Sequence, residues 1–214
     1  MTQQPNPKIN RLKRLAGCTA EIRLHAADRE FLKDLSRVQL LSSDLAAKHH
    51  YPHLKGGATP SLARLEAAGL IRSKTLGFTD RKPTKIYEFS SKAMARAWGG
   101  SLPIIGAKRN ELHELITSDL YFKCGRPADY RLAAQFTDRD ISRVGQHRPD
   151  ALYTDAATGE LVAVEADAGN YRKHQIIKKL AAWDSVGLKR IVWGQPLSMP
   201  RIVPSLDNIT LHRF

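Results

Sequence analysis

Cysteine is nearly missing from this chain, with Cys18 and Cys124 the only two thiols in 214 residues. Two isolated thiols build neither a disulfide framework nor a zinc knuckle, so reduced cysteines in a cytoplasmic setting are expected. Apolar runs of membrane-spanning length are lacking, and Met1 to Pro7 has no apolar core of a signal peptide, so no membrane partner is expected. Acidic side chains are few beside basic ones, 21 Asp and Glu against 34 Lys and Arg. The resulting formal charge of +13 favours a polyanionic partner, most often a phosphate backbone. The alternative for so basic a chain is a ribosome-associated or merely soluble protein.

What is present is unevenly spread. Residues 1–107 hold 18 Lys and Arg against 8 Asp and Glu, net +10, while residues 108–214 hold 16 against 13, net +3. The first half therefore carries most of the field that would meet DNA. Residues 1–27 read as a basic arm through Lys8, Arg11, Lys13 and Arg14. From Asp28, taken as an N-cap, Phe31, Leu32, Leu35, Val38 and Leu41 recur at helical spacing. Ser43 is the expected cap of a helix over 44–50, and Thr59-Pro60 the expected N-cap and N1 pair of a third helix ending at Gly69. Two basic strands, 70–74 and 85–89, flank a turn around Gly77 to Pro83, and Ser90 to Trp98 reads as a further helix.

The stretch Ala58-Thr59-Pro60-Ser61-Leu62-Ala63-Arg64-Leu65-Glu66-Ala67-Ala68-Gly69-Leu70-Ile71, in this helix, helix, helix, flap order, resembles winged helix-turn-helix DNA-binding domains over residues 28–98. The resemblance implies a third helix in the major groove of double-stranded DNA and a wing on the neighbouring backbone. Thr59, Ser61 and Arg64 are then the groove-facing candidates, and Lys74, Arg81, Lys82 and Lys85 the phosphate contacts. A winged helix used for protein contacts is the competing reading. The nearby His49-His50-Tyr51-Pro52-His53 resembles the metal and nucleophile cluster of one class of relaxases, but it falls at a helix end, where the dipole alone favours histidine.

Gly99 to Arg109 reads as a linker, and residues 110–214 as a second domain. Asn110 is the expected cap of a helix whose stripe is Leu112, Leu115, Ile116 and Leu120. A strand over 130–136, a polar loop over 137–147, strands beginning at Asp150 and running over 160–167, a helix over 170–184, and strands over 190–193 and 209–213 follow. Glu165 and Asp167, two apart on a strand, share one face, and Asp155 to Gly159 would fold them back beside Asp150. Carboxylates gathered at a sheet end in a basic chain suit Mg²⁺ or Mn²⁺ over a phosphate. The competing reading is a set of strand-end salt bridges with Arg172 and Lys173.

Pro149-Asp150 followed by Glu165-Ala166-Asp167, in this order of elements, resembles the PD-(D/E)xK nucleases. With His113 to Leu120 and Arg148 to Leu152, the likeness narrows to plasmid replication-relaxation proteins and MobC-type mobilization relaxases. It implies an α+β protein, a winged helix-turn-helix followed by a restriction-endonuclease-like α/β domain with an αβββαβ core. It also implies a metal-dependent DNA endonuclease that nicks at an origin of a mobile element, among replication or relaxosome proteins. Asp150 and Glu165 would ligate the metal, with Asp119 as a third carboxylate from the first helix and Glu111, Glu114 and His113 near it. Asp167 stands where the superfamily has lysine, so either the metal alone activates water or a lysine has moved, and Lys173, placed by Ile177 and Leu180 at the edge of the sheet-facing side of its helix, is the candidate. Tyr121, Tyr153 and Tyr171 are candidates for a covalent nucleophile, though partly buried aromatics are the commoner outcome. The alternatives are a non-catalytic DNA-binding regulator or relaxosome accessory factor with a degenerate nuclease domain, and a repressor that forms a homodimer through its second domain.

Overall fold

The computed structural model describes residues 22–77, 83–100, 111–145, 147–197, 203–204 and 206–213. The basic arm through residue 21, most of the expected linker, and Arg81 and Lys82 lie outside them. The protein is mixed α+β, with helices and two separate sheets, and divides into two compact units, Met1–Ala107 and Lys108–Phe214.

In the first unit α1 (Ala26–Val38) buries Phe31, Leu32, Leu35 and Val38, the stripe its spacing dictates. The helix starts two residues before Asp28, however, and Asp28 is no N-cap. It lies at the third helical position, where its Oδ2 accepts the His25 N–H at 2.7 Å. The short β1 (Leu41–Ser42) leads into α2 (Ser43–His49), capped by Ser42 rather than Ser43, since Ser42 Oγ accepts the Leu45 N–H at 3.1 Å. Ala58 precedes α3 (Thr59–Ala67), so Thr59 and Pro60 fill its first two positions; Leu62 and Leu65 face the core. The strands β2 (Ile71–Leu76) and β3 (Thr84–Phe89) pair antiparallel from Ile71 opposite Phe89 to Leu76 opposite Thr84, and β1 adds on the far side of β3. After α4 (Lys92–Ala97) the chain does not leave as a free linker at once. Gly100 packs against α1 so closely that a Cβ there would lie 2.6 Å from the Ser36 carbonyl oxygen.

The second unit opens with α5 (Glu111–Lys123) and builds one five-stranded sheet in the order β4 (Arg131–Leu132), β5 (Ala151–Thr154), β6 (Leu161–Ala166), β7 (Arg190–Gln195) and β8 (Ile209–Arg213). The first pairs are antiparallel, while β6 to β7 and β7 to β8 are parallel. The parallel step from β6 to β7 is bridged by α7 (Lys173–Ser185). Two expectations fail between α5 and β5. The strand read over 130–136 shrinks to two residues followed by a single 3₁₀ turn, Ala133–Gln135. The polar loop after it contains α6 (Asp138–Val144), nucleated by a capping box in which Thr137 Oγ1 accepts the Asp140 N–H and Asp140 Oδ2 accepts the Thr137 N–H. The core on the α7 side of the sheet gathers Leu152, Leu161, Ala163, Ile176, Trp183, Ile191 and Trp193. Among the described residues no helix is long and apolar enough to cross a membrane.

Candidate active site

Strand β6 has a partner on each side, so its residues are buried along its whole length, including the carboxylate of Glu165. Period-two alternation puts Glu165 on the same face as Leu161 and Ala163, under α7. A carboxylate so placed needs a compensating charge, and α7 supplies it. Lys179 Nζ donates to Glu165 Oε1, and Tyr171 Oη donates to the same oxygen at 2.5 Å. The ammonium also donates to Tyr171 Oη at 3.1 Å and lies 5.2 and 5.1 Å from the ring centres of Tyr171 and Trp183. The Tyr171 ring meets Trp193, the in-register neighbour of Glu165 on β7, edge to face at 5.7 Å.

Asp150 is fixed from three sides. Its N–H donates to the Val164 carbonyl at 3.0 Å, its carbonyl accepts from Ala133 N–H at 2.8 Å, and its Oδ2 accepts the Ala166 N–H at 2.7 Å. The same Oδ2 lies 2.9 Å from His113 Nε2 on α5. Asp150 therefore caps the strand that carries Glu165, and the two carboxylates feel each other. Burial first, then the charge of Asp150, push the Glu165 carboxyl up to about 7, against the opposing pull of Lys179 and Tyr171. At His113 burial works to lower the imidazole's basicity. The hydrogen bond and charge of Asp150, with the charges of Glu165 and Glu114, outweigh it and raise the pKa.

Two buried oxygens are left over. Glu165 Oε2 and Asp167 Oδ2 have no hydrogen-bond partner among the described residues, although both side chains are fully buried. Asp167 spends its other oxygen on the Gly169 N–H, at 2.8 Å, in the turn that leads to α7. Buried acceptors without donors are rare in folded proteins and point to a bound water, proton or cation.

The structure thus brings together Asp150, Glu165, Asp167 and His113, with Glu114 within electrostatic reach of His113. It separates two others. Lys173 is the exposed first residue of α7, and its expected place at Glu165 is taken by Lys179. The buried stripe of α7 is Ile176, Lys179 and Trp183, whereas Ile177, which set the expected phase, is 49% exposed. Asp119 lies six residues, about 9 Å of helix rise, beyond His113. There its charge acts on His212 of β8, whose pKa is lowered by burial and by Lys123 while Asp119 opposes them. Among the described residues no group of three or more His, Cys, Asp or Glu side chains has the geometry to hold a metal ion by itself. Tyr121 is buried, and Tyr153 is buried with its hydroxyl pKa pushed up by burial and then by Cys124, so neither is poised as a nucleophile. Tyr171, the third tyrosine considered as a nucleophile, instead donates its hydroxyl to Glu165.

In the first unit Thr59 is exposed and Ser61 half-buried on the first turn of α3. Arg64, also expected to face the groove, is engaged within the unit. Its guanidinium bonds Asp28 Oδ2 at 2.5 Å and the Arg23 carbonyl at 2.7 Å, tying α3 to α1, and Tyr51 Oη donates to the other Asp28 oxygen at 3.1 Å. On the flap Lys74 is half-buried, and Lys85 is 3.5 Å from Glu66 Oε2 and 5.3 Å from the Tyr87 ring centre. The histidine cluster turns inward: His50 is buried 3.4 Å from Asp34, and only His53 is exposed.

Compared with protein-family models, with curated proteins and with solved structures, the chain matches none.

Proposed function

We propose that residues 28–98 form a winged helix-turn-helix that holds double-stranded DNA, and that residues 110–214 form a restriction-endonuclease-like domain that cuts a phosphodiester of that DNA. The observation that carries this reading is the meeting of Asp150, Glu165 and Lys179 at the end of the central strand, with Glu165 Oε2 buried and unpartnered. The order α5, β4, β5, β6, α7, β7 supports it, being the αβββαβ order that accompanies such sites, with α6 as an insertion. The surplus of basic residues in the first unit supports a DNA partner.

The donor chemistry fits a Mg²⁺ or Mn²⁺ ion. Carboxylate oxygens are hard donors, and these ions are commonly held by one or two carboxylates, with water and substrate phosphate completing the shell. A site without three preassembled protein ligands is therefore no obstacle. Asp150 and Glu165 would hold the ion, which when bound supplies Lewis acidity toward a phosphate oxygen and a more acidic water. The chain's own residues do the positioning. Lys179 and Tyr171 fix Glu165 by one oxygen and leave the other open, the Ala166 N–H fixes Asp150, and a protonated His113 beside Asp150 offers a positive charge to phosphate. The setting proposed is an origin on a mobile genetic element, with replication or relaxosome proteins as partners.

Supercoiled plasmid incubated with Mn²⁺ tests the reading: open circles form with the native chain and are lost in Asp150→Ala and Glu165→Gln. A second reading, a non-catalytic DNA-binding regulator, is favoured by the carboxylate of Asp167 at the superfamily's lysine position. On that reading Glu165 and Lys179 are only a buried ion pair. DNA retained in gel shifts with no metal-dependent nicking would establish it.

A further inference from the structure

We infer that Tyr171 is a positioning residue that locks the orientation of Glu165 and Lys179 together, so that one oxygen of Glu165, Oε2, remains the ligand atom offered to a cation. The inference rests on the metal-dependent reading of the site.

Three observations converge on Tyr171. Its hydroxyl is shared, donating to Glu165 Oε1 at 2.5 Å and accepting from Lys179 Nζ at 3.1 Å, so it closes a three-membered ring of hydrogen bonds with the ion pair. Its aromatic ring is itself held, edge to face with Trp193 at 5.7 Å and beneath the Lys179 ammonium. Its place in the chain is the third: it stands between Asp167, just past the end of β6, and the first turn of α7, so it ties the strand carrying Glu165 to the helix carrying Lys179. A carboxylate held at one oxygen by two donors cannot turn to present that oxygen elsewhere. Its second oxygen, buried and without a partner, is then fixed in direction. Hydrogen-bond partners of ligating carboxylates commonly alter metal affinity or activity 10- to 100-fold when removed.

The test is Mn²⁺ binding to the full chain, followed by the paramagnetic signal of free Mn²⁺, for the native protein, Tyr171→Phe, Lys179→Met, the double variant and Glu165→Gln. Tyr171→Phe keeps the ring and its contact with Trp193, so circular dichroism of the variant should match the native chain. Its Mn²⁺ Kd is expected to weaken by about 10- to 100-fold. Because Tyr171 and Lys179 act on one oxygen, the double variant should lose about as much as Lys179→Met alone, not the product of the two losses. A Tyr171→Phe Kd within about twofold of the native value, or losses that multiply, overturns the positioning role while the metal site stands. If the native chain binds Mn²⁺ no better than Glu165→Gln, the metal-dependent reading falls and the inference falls with it.

Discussion

Lys179, in the second turn of α7, donates to Glu165 in the middle strand of the sheet below it, and both side chains are withdrawn from solvent. This pair, not one with Lys173, joins the helix to the central strand of the sheet. Breaking a buried pair by removing one partner costs about 3 kcal/mol or more, because the remaining charge is left uncompensated. Lys179→Met should therefore lower the urea-unfolding free energy at pH 8 by about 3 kcal/mol. Lys173→Met, at an exposed position, should change it by less than about 0.5 kcal/mol. Equal effects would mean that the pair contributes nothing.

The raised Glu165 pKa makes stability depend on pH. A carboxyl whose folded pKa, about 7, lies above its ordinary 4.5 binds a proton more tightly when folded. The stabilisation is complete below about pH 4.5 and is lost as pH rises through 7. The stability of the native chain relative to Glu165→Gln should therefore fall by about 3 kcal/mol between pH 4.5 and pH 7.5. Paired denaturation curves across that range check it; a difference independent of pH would contradict it.

Much of this was readable in the residues. The stripe of α1, the antiparallel flap of β2 and β3, and the convergence of Asp150 on β6 follow from apolar spacing, strand alternation and the short turn at Asp155 to Gly159. Lys179 sits three residues after Ile176 and four before Trp183, inside the buried stripe of α7, but spacing alone does not mark that stripe over the one through Ile177. The phase was misjudged because Ile177 is as apolar as Ile176, and only packing decides which of two adjacent isoleucines is buried. Helix α6 was announced by Thr137 and Asp140, a capping box with Asp in place of the usual Glu or Gln, but its polar composition hid it. The inward turn of Arg64 had no sequence signal, because its partner Asp28 is 36 residues away.

Arg64 braces α3 against α1 through Asp28. Its removal leaves the fully buried Asp28 without its guanidinium, with Tyr51 and the His25 N–H as its remaining partners among the described residues. Arg64→Ala should destabilise the first unit by about 2 kcal/mol, less than the loss of a fully buried partner costs, because the guanidinium is partly exposed. Ser61→Ala should cost less than about 0.5 kcal/mol. Thermal unfolding of the two variants separates bracing from recognition.

On the proposed reading, Glu66 competes with phosphate for Lys85. It lies 3.5 Å from the Lys85 ammonium, and its Oε1 accepts from the Ser73 N–H and hydroxyl at 3.0 and 2.6 Å. Glu66→Gln should release Lys85, tighten DNA binding, and steepen the log–log salt dependence by up to about 0.9, one phosphate contact. An unchanged slope would place Lys85 away from the nucleic acid.

The sharpest trial of the whole account is the rate of open-circle formation on supercoiled plasmid, at saturating Mn²⁺, by Lys179→Met beside Lys173→Met, with both variants folded by circular dichroism. The account predicts a fall of about 10- to 100-fold for Lys179→Met, as for removal of a residue that orients a ligating carboxylate, and a native rate for Lys173→Met. Native rates from both, or loss in Lys173→Met alone, would contradict it.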